Sequence, residues 1–343
     1  MVRVLVAEDS AVTREYLVYL LEQADGLTVA GTARDGFDAV EHARRLRPDV
    51  ILMDVHMPRL NGFEATRRIM EEIPTPIVMI SASLDRNEVG MTFEALKAGA
   101  LTVIEKPGGP GHPDEGATTR ELVNTLRLMA GVKVIRRWPR PGTPPVTSRP
   151  RPLPERQIRV VAMGASTGGP PAVAGILEKL PQSLAVPILL VQHIAPGFID
   201  GLAEWLAGQT RLAVKLAEAG EPLRPATVYL APDHVQMGVA PGERIFLTKE
   251  PAADGFCPSV SYLFQRVAHV YGRSGVGVLL TGMGRDGAVG LQQLRDAGAV
   301  TIAQDEETSV IFGMPGEAIR LGAAEYVLSP EQIADMIRAL VIR

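Results

Sequence analysis

The feature that most constrains this chain is a repeated alternation of short apolar runs with amphipathic segments. In the first third, residues 2–6, 28–31, 50–53, 76–80 and 101–104 are β-branched or apolar runs. Between them, residues 13–23, 37–46, 63–72 and 86–97 carry helical periodicity. Near-continuous apolar strands separated by helices are the pattern of a parallel, doubly wound sheet covered on both faces. Runs at 160–163, 187–191, 228–230, 245–248, 276–280 and 300–302 repeat the pattern less regularly. There the turn residues Pro222, Pro232-Asp233 and Pro241-Gly242 lead to the expectation of β-hairpins over 213–248, inserted in a second α/β domain.

The two series are separated by WPRPGTPPVTSRPRPLPERQ (138–157), which offers almost nothing to bury and favours extended, polyproline-like backbone. The expected organisation is therefore a first domain over 1–131, a Pro/Arg-rich linker over 132–157 and a second domain over 158–343. With 46% apolar and 22% charged residues, both domains can build cores. A net charge of −4 gives no reason to expect nucleic acid or membrane insertion. The single cysteine, Cys257, excludes an intrachain disulfide and a multi-thiolate metal site. The amino terminus has no secretory pattern and no run is long enough to span a bilayer, so a cytoplasmic location is expected.

Parallel sheets gather ligands outside the carboxyl ends of their strands. In the first domain those ends carry Glu8-Asp9, Asp54, Ser81 and Lys106. Three converging carboxylates repel one another unless a hard cation lies between them, and Mg²⁺ with oxygen ligands suits the set. Asp54 is then a candidate phosphoryl acceptor, with the Ser81 hydroxyl and the Lys106 ammonium balancing the added charge. Singly, each residue reads as a turn, a cap or a surface charge. The segments AEDS (7–10), ILMDVHMPRLNG (51–62), VMISA (78–82) and EKPGG (105–109) resemble a receiver domain of two-component signalling. The resemblance implies Glu8 and Asp9 as metal-site acids, Asp54 as the phosphorylated residue, Ser81 as switch hydroxyl and Lys106 as phosphate contact. It also implies a backbone carbonyl from His56 on the metal, a response completed near Phe93 or Ala100, and a Lys106–Pro107 bond that is a candidate for the cis form.

The second domain opens with VVAMGASTGGP (160–170), a strand running into a Gly-rich turn with Pro at the start of a helix. Gly164-Ala-Ser166-Thr-Gly168 fits the G-x-S-x-G turn that lifts a nucleophilic serine above a sheet. A phosphate-cradling loop and a purely structural turn are its rivals. His193 ends the run PILLVQH, whereas His234 lies in an APDH turn and His269 in a helical segment. Asp286 follows the apolar strand 276–280, at the head of a helix. Serine, histidine and aspartate at strand ends form a triad by role, whatever their chain order.

GASTGGP, VQHIAPGF (191–198), YLAPDHVQM (229–237) and LLTGMGRDGA (279–288) resemble the catalytic domain of the chemotaxis protein-glutamate methylesterase (CheB-type) family. Receiver, linker and this domain in this order match that family over nearly the whole chain. The resemblance implies a flavodoxin-like receiver joined to an α/β serine hydrolase, with Ser166, His193 and Asp286 catalytic and the backbone N–H of Met283 or Thr167 in the oxyanion hole. It implies hydrolysis of glutamyl γ-methyl esters on chemoreceptor helices, glutamine deamidation as a second reaction, a chemotaxis histidine kinase as phosphodonor, and no metal in the esterase chemistry. An unphosphorylated receiver covering the esterase opening is the expected mode of control. Ser261, where the family leads one to expect an acid, and Arg285, where it leads one to expect a smaller polar residue, depart from the pattern. A non-catalytic binding module and a receiver-linked esterase of a non-chemotaxis pathway remain alternatives on the sequence alone.

Overall fold

The computed structural model describes residues 1–81, 86–109, 112, 115–132, 134, 157–252 and 255–341. The chain forms two compact units, 1–141 and 142–343. The expected linker over 132–157 lies almost wholly outside the described residues.

In the first unit, β1 (Val2–Ala7), α1 (Ala11–Glu22), β2 (Leu27–Ala33), α2 (Gly36–Leu46) and β3 (Val50–Asp54) are followed by α3 (Gly62–Glu72), β4 (Ile77–Ser81), α4 (Arg86–Ala98), β5 (Thr102–Glu105) and α5 (Glu115–Ala130). The strands pair in parallel in the order β2-β1-β3-β4-β5. β3 and β4 are buried at every position, which is why they read as unbroken apolar runs. Ser10, Asp35 and Asn61 cap α1, α2 and α3 by accepting backbone N–H groups of the first turn. Each cap fixes where a strand-end loop stops and its helix begins.

The second unit contains β6 (Val160–Ala165), α6 (Gly169–Glu178), β7 (Ile188–Gln192), α7 (Ile199–Gln209), β8 (Ala213–Leu216), β9 (Thr227–Leu230), β10 (Gln236–Ala240) and β11 (Arg244–Thr248). After these come α8 (Val260–Tyr271), β12 (Gly275–Leu279), α9 (Ala288–Asp296), β13 (Val300–Gln304), α10 (Met314–Arg320), β14 (Tyr326–Leu328) and α11 (Pro330–Val341). Its main sheet has the order β14-β13-β12-β6-β7-β9-β8, with every pair parallel. The chain leaves β6 toward β7 on one side and returns to β12 on the other. That reversal makes the β6/β12 boundary the switch point, where a crevice opens at the carboxyl ends.

Only part of the hairpin expectation for 213–248 is met. β10 and β11 form an antiparallel hairpin, but β8 and β9 run parallel at the edge of the main sheet. The connection between them swings out through Pro222, which bridges to Arg244 of β11, so the chain re-enters the sheet in its original direction. Tyr229 pins this excursion: its hydroxyl donates to Pro222 O and accepts from Arg224 N–H at 3.0 Å.

Helices α8 and α9 pack against one another beside the crevice, and Gly290 permits their approach. A Cβ on Gly290 would lie 2.7 Å from both the Cα and the carbonyl oxygen of Ser261. Alanine in a helix usually stabilises relative to glycine by up to about 1 kcal/mol. Here overlap with rigid backbone outweighs that gain, so Gly290→Ala is expected to destabilise by about 1–3 kcal/mol. A lowered melting temperature checks this expectation, and an unchanged or raised one contradicts it.

Candidate active site

In the first unit Glu8 and Asp9 follow β1, Asp54 ends β3, Ser81 ends β4 and Lys106 follows β5. The carboxylate oxygens of Glu8, Asp9 and Asp54 lie within 4.8 Å of one another. Lys106 Nζ sits 2.8 Å from Asp54 Oδ2 and 2.9 Å from Glu8 Oε2. Burial pushes Glu8 up to about 6, with the Asp54 charge adding to the effect and Lys106 opposing it. Burial also raises Asp54 against the pull of Lys106. For Lys106 burial works against the charge, but its two carboxylate partners outweigh burial and hold it above the usual lysine range. Among the described residues three carboxylates thus face one contacting ammonium, and their oxygens make a donor set that fits a hard divalent cation.

His56 is exposed, and its backbone N–H reaches Asp54 Oδ1 at 3.4 Å. Ser81 is buried and its carbonyl accepts the Lys106 N–H at 2.9 Å, which ties the hydroxyl-bearing strand end to the lysine. Phe93 and Ala100 are also buried. The Lys106–Pro107 bond is not cis; among the described residues the cis bond is Cys257–Pro258. The trans form is the ordinary preference of an X–Pro bond.

In the second unit the crevice at the switch point collects the other expected residues. Ser166 directly follows β6, and its N–H donates to Thr281 O at 3.0 Å. His193 directly follows β7, and its N–H donates to Ala165 O at 2.9 Å. Asp286 closes the loop after β12, two residues before α9. Its Oδ2 lies 2.9 Å from His193 Nε2, an ion-pair distance, although the angle falls short of a formed hydrogen bond.

Asp286 is only 2% exposed and is held by more than the histidine. Its carboxylate accepts the N–H groups of Val260 (2.7 Å), Ser261 (2.9 Å) and Gly287 (2.6 Å), and the Ser259 hydroxyl at 3.2 Å. Two of these N–H groups belong to the first turn of α8, whose macrodipole favours a negative charge there. The loop carrying Met283 comes close to the serine, since a Cβ on Gly282 would stand 2.7 Å from Ser166 Cβ. Thr167 lies in the turn after Ser166, and its carbonyl accepts the Thr281 hydroxyl at 2.9 Å. His234 and His269 are exposed, one in a turn with φ 60° and the other on α8.

The sequence of residues 161–337 matches the family model of CheB methylesterase, and residues 4–112 match that of the response regulator receiver domain. A protein-glutamate methylesterase/protein-glutamine glutaminase of Nitrosospira multiformis is 52% identical over 99% of this chain and 97% of its own. The chain belongs to the CheB methylesterase family. A similarly named protein of Geobacter metallireducens is 49% identical over 100% of this chain and 99% of its own. Among solved structures, the CheB methylesterase catalytic domain of Thermotoga maritima is 38% identical with a TM-score of 0.51, covering 54% of this chain and 99% of that one.

Within this CheB-family architecture, the departures at 261 and 285 find different settings. Ser261 packs directly on Asp286, and its hydroxyl accepts the Gly287 N–H at 2.8 Å. An acid there would set a second negative charge beside Asp286, which the serine avoids. Arg285 is exposed.

Sequence reasoning passed over several residues that shape the crevice. The buried amide of Gln192 donates to Ser166 O at 2.8 Å and to His193 O at 2.9 Å, fastening two strand ends together. Asp233 Oδ2 accepts the Gly197 N–H at 2.7 Å and anchors the loop beyond His193. The one available signal was position, since Gln192 adjoins His193 and Asp233 lies in the APDH segment. Gln192→Met keeps the side chain's length but strands the His193 carbonyl, at about 1–3 kcal/mol when unsatisfied, and leaves Ser166 O with the Gly169 N–H alone. We expect a lower melting temperature and an esterase rate reduced on the order of tenfold or more by misplacement of the serine and histidine. A variant with wild-type rate and stability would rule out this fastening.

Proposed function

We propose that this chain is a receiver-controlled serine esterase that hydrolyses glutamyl γ-methyl esters on the cytoplasmic helices of methyl-accepting chemoreceptors, with glutamine deamidation as a second reaction of the same site. The observation that carries this reading is the approach of His193 Nε2 to the buried Asp286 carboxylate, at 2.9 Å, in the crevice that also holds Ser166. The names of the close relatives support the choice of substrate.

In this reading Ser166 Oγ attacks the ester carbonyl while His193 Nδ1 takes its proton. Asp286 stabilises the resulting imidazolium and keeps the ring in its tautomer. The N–H groups of Met283 and Thr167 receive the oxyanion. The imidazolium then returns the proton to the departing methoxide, which leaves as methanol. Water, deprotonated by His193, attacks the acyl-enzyme and releases glutamate and free Ser166. With glutamine the same steps expel ammonia.

The receiver site supplies control. Glu8, Asp9, Asp54 and the His56 carbonyl would hold Mg²⁺, which when bound neutralises charge around the phosphoryl group. A chemotaxis histidine kinase is the proposed phosphodonor and Asp54 the acceptor. Lys106 would exchange its contact with the Asp54 carboxylate for one with the phosphoryl oxygens, and Ser81 would donate its hydroxyl to them. That change alters interaction energies between two states of the receiver, which is what regulation of the esterase requires.

Methanol release from methylated chemoreceptor membranes tests the proposal. Ser166→Ala is expected to lower the rate by about four orders of magnitude or more. A small phosphodonor with Mg²⁺ is expected to raise the rate of the wild type but not of Asp54→Asn. Release that survives in Ser166→Ala would sink the serine mechanism, and stimulation that survives in Asp54→Asn would sink the switch.

A further inference from the structure

We propose that Phe256 is a positioning residue for the reaction, holding the plane of the His193 imidazole while Asp286 holds its edge. The two rings are stacked almost parallel, with centroids 4.7 Å apart and planes 8° from coincidence. Phe256 is 43% exposed, so its ring is not explained by core packing. A phenylalanine scattered on a surface needs no explanation, but this one lies flat on the imidazole that the proposed reaction uses.

A buried clamp keeps it there. Gln236, the fully buried first residue of β10, donates its amide N–H to Phe256 O at 2.7 Å. Its amide oxygen accepts the Ser259 N–H at 2.8 Å. Ser259 in turn caps α8 and donates its hydroxyl to Asp286. One carboxamide therefore fixes both ends of the 256–259 turn. One end lays an aromatic face on the histidine, and the other delivers donors to the aspartate.

The geometry gives this arrangement a purpose. The contact of His193 Nε2 with Asp286 Oδ2 has ion-pair distance without hydrogen-bond alignment, so it limits the ring's edge but leaves its tilt weakly defined. A parallel face removes that freedom. The same face carries the negative lobe of the ring quadrupole, and it meets the imidazolium that forms when His193 accepts the serine proton.

The inference rests on the proposed pairing of Ser166 with His193, and its test does not need a chemoreceptor. The full-length protein is treated with a fluorophosphonate. Ser166 Oγ forms a bond to phosphorus, fluoride leaves, and the serine proton passes to His193. Second-order labelling rates are compared for wild type, Ser166→Ala, Phe256→Leu and Phe256→Tyr, with melting temperatures recorded alongside. Phe256→Leu is expected to react about tenfold more slowly at an unchanged melting temperature, and Phe256→Tyr to recover to within about threefold of wild type. A leucine variant as fast as wild type, or a tyrosine variant as slow as leucine, overturns the role of Phe256. Failure of the wild type to label above Ser166→Ala would instead remove the nucleophile assignment, and this inference with it.

Discussion

Removing a carboxylate from water carries a cost of several kcal/mol unless its lone pairs find donors. Asp286 is almost wholly buried, and its donors come from the cap and first turn of α8 and from the residue after Asp286 itself, with the ring of His193 at ion-pair distance. Each donor's position depends on another element. The start of α8 is set by Ser259 and, through Gln236, by the β10–β11 hairpin. His193 is set by the end of β7 and by the Gln192 amide. The charge that the proposed chemistry needs beside an imidazole is thus the same charge that draws the second unit's loops together.

The receiver unit solves a related problem differently. Its acids are gathered around the Lys106 ammonium, and burial pushes Glu8 up to about 6. The acids of that cluster face one another across an oxygen-lined site, whereas Asp286 is satisfied by fixed donors. Both sites lie at the switch points of parallel sheets, between β1 and β3 in one unit and between β6 and β12 in the other. One physical rule therefore accounts for two unrelated kinds of chemistry in one chain.

Much of this was legible in the residue order because buried parallel strands announce themselves as apolar runs. The strands ending in Asp54, Ser81, Gln192 and Leu279 are buried at every position, and polar residues stand out at or beyond their carboxyl ends. The edge strands were not legible. β8 is partly exposed along its length, β14 has three residues, and Gln236 and Gly238 give β10 no strand signature. The hairpin expectation for 213–248 failed in part because sequence gives turns but not the side on which the chain re-enters a sheet. Gln192 and Gln236 escaped notice for a related reason. A buried glutamine acts through carbonyls and N–H groups brought close only by the fold, and no spacing in the sequence encodes them.

The claim that one buried carboxylate serves both folding and chemistry is tested most directly by thermal melting of Asp286→Asn beside Ser166→Ala. Asparagine keeps the shape but turns an amino group toward backbone donors, so a melting temperature lower by on the order of 5–10 °C is predicted. Ser166→Ala removes a half-buried hydroxyl and should melt with the wild type. Coincident melting of Asp286→Asn and the wild type would contradict the claim.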